Sequence, residues 1–99
     1  MAETKNIIEI IQKAQNDKSF TLELSHKNLS SLPDEIFELA SHLLELDLFY
    51  NYFESFPAVI TSLTHLKSLV LGQNQIGELP ESISNLKALE SLQITNCGI

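Results

Sequence analysis

The chain has 99 residues, with 13 acidic and 6 basic side chains and a net charge of −7. This length indicates one domain, and the acidic balance argues against nucleic acids and anionic membranes as partners, because both attract proteins through lysine and arginine. The single cysteine, Cys97, excludes an internal disulfide. The first residues lack the basic stretch and unbroken apolar run of a signal peptide or a transmembrane helix. We therefore expect a cytoplasmic protein.

An amphipathic helix is predicted at the amino terminus, over residues 3–17. Its apolar residues, Ile7, Ile10, Ile11 and Ala14, recur at helical spacing and form one stripe. The polar face lacks the basic bias of a helix that lies on a membrane. A helix with one apolar stripe must bury that stripe, either against the rest of the chain or against a partner.

The remainder of the chain repeats a leucine pattern with a period of 23 residues, counted from the starts at Leu43, Leu66 and Leu89. The unit is L-x-x-L-x-L-x-x-N-x-(L/I/F)-x-x-(L/F)-P-x-x-I-x-x-L. A first, imperfect copy is one residue longer and has Lys27 in the asparagine position. We divide this part into repeats at 19–42, 43–65 and 66–88, with a partial unit at 89–99.

Each unit predicts a strand, a turn and a short helical return. In L-x-L both leucines face one side of a strand and enter the core. Proline, as in Leu79-Pro80, disfavours a helix before itself and permits one after. Asn51 and Asn74 are expected inside the turn, where their amides can bond backbone groups that would otherwise be buried unpaired, and Cys97 takes the same position.

These elements together predict an α/β solenoid. Its parallel sheet is curved and forms the concave face, and its short helical turns form the convex face. The open end of such a stack would expose its core, so we assign residues 1–18 to a capping helix and residues 19–99 to the repeats.

This unit resembles the intracellular leucine-rich repeats of the Ras-associated, plant Ras-group and bacterial or Roco-type proteins. The resemblance covers residues 19–99, and a short helix before the first strand is also similar to that group. It implies a concave binding face and protein partners. In many such proteins the repeats precede another domain. The alternative function is therefore a regulatory or substrate-recruiting segment of a multidomain enzyme such as a GTPase or kinase.

The concave face carries an acidic and aromatic patch in its amino-terminal half. Strand alternation places Glu23, Glu45 and Asp47 on this face, and Phe49 and Tyr50 follow with no reason in the repeat pattern to be apolar. Exposed aromatic residues beside charge are typical of interface hot spots. We predict that these five residues bind a protein or peptide of basic character. The alternative is that the carboxylates are merely solvated and Phe49 packs on a neighbouring strand.

No catalytic, cofactor or metal site is predicted, and we expect no enzymatic activity. Glu23 and Asp47 could be spaced as an acid–base pair, but a shallow sheet offers no closed pocket. His26, His42 and His65 lie far apart in the repeat frame, without a second ligand at metal spacing. We expect these histidines on the surface or in turns.

The last unit stops after its strand and turn, without a proline segment or a polar cap. Leu89, Leu92, Ile94 and Ile99 are expected to leave an apolar edge beside an open strand. Three interpretations remain open. The chain is part of a longer protein, the edge associates with a second copy, or a small natural protein tolerates the exposure.

Overall fold

The computed structural model describes residues 2–99, with side chains from residue 6 onward. One helix precedes four short strands, and each of the first three strands is followed by a 3-10 helix. The helix and strands are α1 (Ala2–Asp17), β1 (Thr21–Glu23), β2 (Glu45–Asp47), β3 (Ser68–Val70) and β4 (Ser91–Gln93), and the 3-10 helices span Asp34–Leu39, Ala58–Ser62 and Glu81–Asn85. The predicted amino-terminal helix and the four strands are confirmed.

The strands form one parallel sheet in the order β1-β2-β3-β4. Its register aligns the central leucine of each strand with that of the next, in the series Leu22, Leu46, Leu69 and Leu92. Because each central leucine points inward, the residues on either side of it point to the exposed face of the sheet, which is the outer, concave face of the solenoid.

The return segments follow the prolines, as predicted. Pro33, Pro57 and Pro80 are extended and directly precede the three 3-10 helices. Each of the first two helices directs one fully buried isoleucine, Ile36 or Ile60, into the core. The molecule thus has a sheet on one side and short helical turns on the other, which confirms the predicted α/β solenoid.

Buried asparagines hold the turns that follow the strands. Asn51 is 5% exposed and Asn74 is 1% exposed. The Oδ1 atom of Asn51 accepts from the amides of Lys27 and Leu29 at 3.1 and 3.0 Å. Its Nδ2 atom donates to the carbonyl of Leu24 at 3.0 Å. One side chain therefore joins the turn of its own repeat to the turn of the preceding repeat.

The same arrangement recurs in the next two turns. Asn74 accepts from the amide of Phe53 at 3.1 Å and donates to the carbonyl of Leu71 at 2.8 Å. Cys97 is buried and its thiol donates to the same Leu71 carbonyl at 2.9 Å. The predicted role of the asparagines is confirmed. In the last turn the thiol of Cys97 takes the place of the asparagine amide group as hydrogen-bond donor, and a thiol is a weaker donor.

Helix α1 packs its apolar stripe against the first repeat. Ile7 and Ile11 are buried in the same core as the leucines of the sheet. His42, in the turn before β2, lies beside the end of the helix. Its Nδ1 donates to the carbonyl of Ser19 at 2.7 Å, and its Nε2 lies 3.0 Å from Oε1 of Gln15. The longer first repeat thus places a histidine where it contacts the helix.

The carboxyl-terminal edge is less covered than the middle of the stack. Leu89, Leu92 and Ile94 are only partly buried, whereas the equivalent residues of the preceding repeat are fully buried. Ile99 is 55% exposed. Within residues 2–99, no helix combines the length and the apolar character needed to cross a bilayer.

Candidate protein-binding site

The three predicted carboxylates lie on the outer face of β1 and β2. Glu23 pairs directly with Asp47 in the parallel register, and Glu45 lies two residues before Asp47 on the same strand. The side chains of Glu23 and Glu45 are exposed, and Asp47 is half-buried. A hollow of about 300 Å³ on this face is lined by Thr21, Leu22, Glu23, Glu45, Leu46, Asp47, Ser68 and Val70, three of them acidic and none basic. We call it the acidic hollow.

Asp47 differs from the two glutamates because it also bonds the backbone. Its Oδ1 atom accepts from the amide of Phe49 at 2.9 Å. This bond fixes the chain where β2 ends and the aromatic residues begin. Glu23 and Glu45 therefore carry the more accessible negative charges, and Asp47 also positions Phe49.

Three rings meet at the end of the acidic hollow, and we call them the aromatic cluster. The rings of His26 and Tyr50 are stacked, with centroids 4.7 Å apart and planes at 15°. Phe49 lies edge-on to His26 at 5.9 Å and is tilted against Tyr50 at 6.3 Å. Phe49 is half-buried, whereas Tyr50 is 52% exposed. The sequence prediction omitted His26, although the repeat register aligns it with Tyr50.

Tyr50 belongs to a row of residues with left-handed backbone at the strand exits. His26, Tyr50, Gln73 and Asn96 have φ angles of 56°, 59°, 61° and 58°. The amide of Tyr50 donates to the carbonyl of Gly72 at 2.9 Å, so the bend is tied to the next repeat. A left-handed residue other than glycine is strained, and such strain persists only where the surroundings fix it. The direction of the Tyr50 side chain is thus set by the fold.

The aromatic cluster ends at the third repeat. Gly72 is buried in the position equivalent to Phe49, and the side chain of Gln93 fills the space that a Cβ atom there would need. The Oε1 atom of Gln93 is buried and, within the described part of the chain, has no hydrogen-bond partner. The concave face therefore changes from acidic and aromatic on β1 and β2 to uncharged on β3 and β4, where it carries Ser68, Val70, Ser91 and Gln93.

The five predicted site residues are brought together on two adjacent strands and their exits. Glu23, Glu45 and Asp47 line one hollow, and Phe49 and Tyr50 stand at its end. Among the side chains from residue 6 onward, no group of three histidine, cysteine or acidic residues is arranged to hold a metal ion. The geometry offers negative charge and ring faces on an open surface.

The fold defines a class, that of solenoid repeat proteins with a parallel sheet on the concave side. The leucine-rich repeat family matches residues 21–76 and 56–99, and the chain belongs to that family. Domains of this family generally act as protein-interaction modules, and the repeat stack provides an extended concave surface for this purpose.

Two curated proteins and one solved structure illustrate the similarity. The chain is 42% identical over 78 residues to the volume-regulated anion channel subunit LRRC8D of Rattus norvegicus, a match that covers 76% of this chain and 9% of that protein. It is 37% identical over 78 residues to a probable serine/threonine-protein kinase of Dictyostelium discoideum, covering 77% of this chain and 6% of the kinase. The leucine-rich repeat domain of the type III effector XopL superimposes with a TM-score of 0.81 at 28% identity, covering 94% of this chain and 31% of that one.

These similarities concern the repeats. The chain spans less than a tenth of the length of the curated relatives, at 9% and 6%. What the rest of those proteins does therefore does not transfer to this chain by similarity alone.

Proposed function

We propose that this chain binds a basic protein or peptide on its concave face through Glu23, Glu45, Asp47, Phe49 and Tyr50. The acidic hollow attracts lysine or arginine side chains, and the aromatic cluster supplies ring faces on which a cation can rest. This is recognition rather than catalysis.

The observation that carries the proposal is the stacked pair of His26 and Tyr50 beside the acidic hollow. Tyr50 is half exposed, and the left-handed backbone that it shares with the equivalent residues of the other repeats fixes the position of its side chain at the strand exit. A rigid exposed ring loses little conformational entropy when a partner covers it. The neighbouring carboxylates determine the sign of the charge that this partner must bring.

The test is a selection of random displayed peptides on the wild-type protein. Selected peptides are then measured against Phe49→Ala/Tyr50→Gly, in which glycine keeps the left-handed backbone, and against Phe37→Ala. Phe37 is a matched control because it is 57% exposed and lies in the 3-10 helix Asp34–Leu39, away from the sheet. We expect peptides rich in arginine and lysine that lose at least tenfold in affinity on the double variant. Peptides that bind all three proteins equally would contradict the proposal.

A second candidate function is that of a recruiting or regulatory segment in a multidomain enzyme, such as a GTPase or kinase. The similarity to the Dictyostelium protein favours it, because that protein is named as a probable serine/threonine-protein kinase and contains a segment similar to these repeats. Assignment to the Ras-group and Roco-type repeats is part of this proposal. Sequencing the complete transcript tests it, and an open reading frame without any enzyme domain would contradict it.

Self-association through the carboxyl-terminal edge is a further part of the partner proposal. It is supported by the partly buried Leu92 on β4, whose free side has no neighbouring strand among residues 2–99. Concentration-dependent dimerisation that Leu92→Lys abolishes would support it, and a monomer at every concentration would contradict it.

We also propose a cytoplasmic location, which is consistent with the free thiol of Cys97.

A further inference from the structure

A second hollow lies beside the aromatic cluster, past the ends of β2 and β3. It has a volume of about 360 Å³ and is lined by Tyr50, Asn51, Tyr52, Glu54, Gln73 and Gln75. Its two tyrosines are 52% and 60% exposed. We call it the tyrosine hollow. Tyr52 has no role in the core, and the repeat pattern places no demand on its side chain.

The backbone that carries these side chains is fixed by hydrogen bonds to neighbouring repeats. The amide of Tyr52 donates to the carbonyl of Leu29 at 2.7 Å, and the amide of Gln75 donates to the carbonyl of Phe53 at 2.9 Å. Asn51, whose side chain is buried, holds the turn between Tyr50 and Tyr52. A ligand that enters the hollow therefore meets rings on an ordered frame, which lowers the entropy lost on binding.

The chemistry of the lining fits a planar cation. Two phenol rings offer faces for a cation, and Glu54 offers a carboxylate. The amide oxygens of Gln73 and Gln75 add neutral acceptors, and none of the six described residues that line the hollow is basic. A guanidinium group has five N–H donors and a flat face, so it can use both kinds of partner at once, whereas an ammonium group has three donors and no flat face.

We propose that the tyrosine hollow binds an arginine side chain of the partner. This inference rests on the proposed function, since the partner is the same basic segment that covers the acidic hollow. Tyr50 adjoins both hollows, because it belongs to the aromatic cluster at the end of one and lines the other. The bound segment runs from the carboxylates of β1 and β2 over the aromatic cluster to Tyr52, and it presents basic residues at both ends.

The experiment titrates ¹⁵N-labelled protein with three capped tripeptides, acetyl-Gly-X-Gly-amide, in which X is arginine, lysine or citrulline. Citrulline keeps the planar shape of arginine without its charge. We expect the arginine peptide to shift the backbone amides of Tyr52, Glu54 and Gln75 and to bind most tightly. Tyr52→Ala should weaken that binding about fivefold, as expected for the loss of one cation–aromatic contact, while Phe37→Ala leaves it unchanged.

Three results would overturn the inference. The citrulline peptide could bind as tightly as the arginine peptide, the shifts could be confined to residues 21–26 and 45–49, or Tyr52→Ala could have no effect. The peptides selected on the whole protein distinguish failure of the tyrosine hollow from failure of the proposed function. If Glu45→Lys abolishes their binding and Tyr52→Ala does not, the concave site stands and the tyrosine hollow fails. If neither substitution matters, both fail.

Discussion

Asn51 and Asn74 donate to one shared acceptor, the carbonyl oxygen of Leu48, at 2.9 and 3.0 Å. The two side chains occupy equivalent positions in successive repeats, so each turn is bonded to the next through a buried amide. This ladder fixes the strand exits. The exits carry Tyr50 and Gln73, and the positions of the aromatic cluster and the tyrosine hollow therefore depend on it.

Removing a member of the ladder should destabilise the whole stack. Asn74→Ala leaves the amide of Phe53 without its side-chain partner, whereas the carbonyl of Leu71 keeps the thiol of Cys97 as a donor. We expect a loss of about 1–3 kcal/mol in the free energy of unfolding, the cost of leaving one buried polar group unpaired. Urea denaturation measures it. Asn85→Ala, at an exposed position, is the control and should change stability by less than about 0.5 kcal/mol. Equal effects of the two substitutions would contradict the role of the ladder.

Restoring the ladder at its last position should stabilise the protein. Cys97 donates to the Leu71 carbonyl, but its sulfur is a poor acceptor for the amide of Ile76, the counterpart of the Phe53 amide one repeat earlier. We expect Cys97→Asn to raise the free energy of unfolding by about 1 kcal/mol, the net value of one added hydrogen bond. Thermal and urea unfolding report the change. A variant less stable than the wild type would show that the last turn does not share the geometry of the others.

Because the backbone of Tyr50 is left-handed, we expect glycine to be more stable than alanine at this position, the reverse of the order at an ordinary strand position. At φ 59° alanine is strained and glycine is not, so Tyr50→Gly should be more stable than Tyr50→Ala by about 0.5–1 kcal/mol. Glu45, an exposed strand residue, supplies the comparison. There alanine should be the more stable substitution, because glycine loses more backbone entropy. The same order at both positions would mean that Tyr50 is not held in this conformation.

The amino-terminal helix is proposed to cap the core, and Ile11 tests that role. Its side chain is fully buried among the leucines of the repeats. We expect Ile11→Ala to cost about 2–5 kcal/mol, the usual range for truncating a buried isoleucine. Gln12→Ala, on the exposed side of the same helix, should be nearly neutral. A helix that could lose Ile11 without consequence would not be part of the fold's core.

The fold could be predicted because each repeat places the same residue types at the same positions. The leucines of L-x-L, the proline and the asparagine recur, so a local ambiguity in one copy is resolved by the others. The first repeat is an example, because Lys27 occupies the position that holds asparagine in the next two repeats. The asparagine is missing from the first turn, yet the turn forms, because Asn51 of the next repeat bonds the amide of Lys27.

The details of the candidate site depend on contacts that periodicity does not encode. The stack of His26 on Tyr50 joins residues from two repeats through ring packing, and the repeat register alone gives their alignment but not the angle of the rings. The same holds for Gln93, which folds over Gly72 because that glycine leaves space. Side-chain conformations across repeats are decided by local volume and hydrogen bonding, so these features required the three-dimensional structure.

The central claim is that the concave face, rather than the convex one, recognises a basic partner. The most direct measurement is the affinity of a selected basic peptide for Glu45→Lys and for Glu38→Lys, by calorimetry at low and moderate salt. Both glutamates are exposed, but Glu45 lies on β2 and Glu38 in the 3-10 helix Asp34–Leu39. We predict a loss of about tenfold or more for Glu45→Lys, since a like charge then faces the peptide, and less than about twofold for Glu38→Lys. Equal losses for the two variants, or none for Glu45→Lys, would contradict the account.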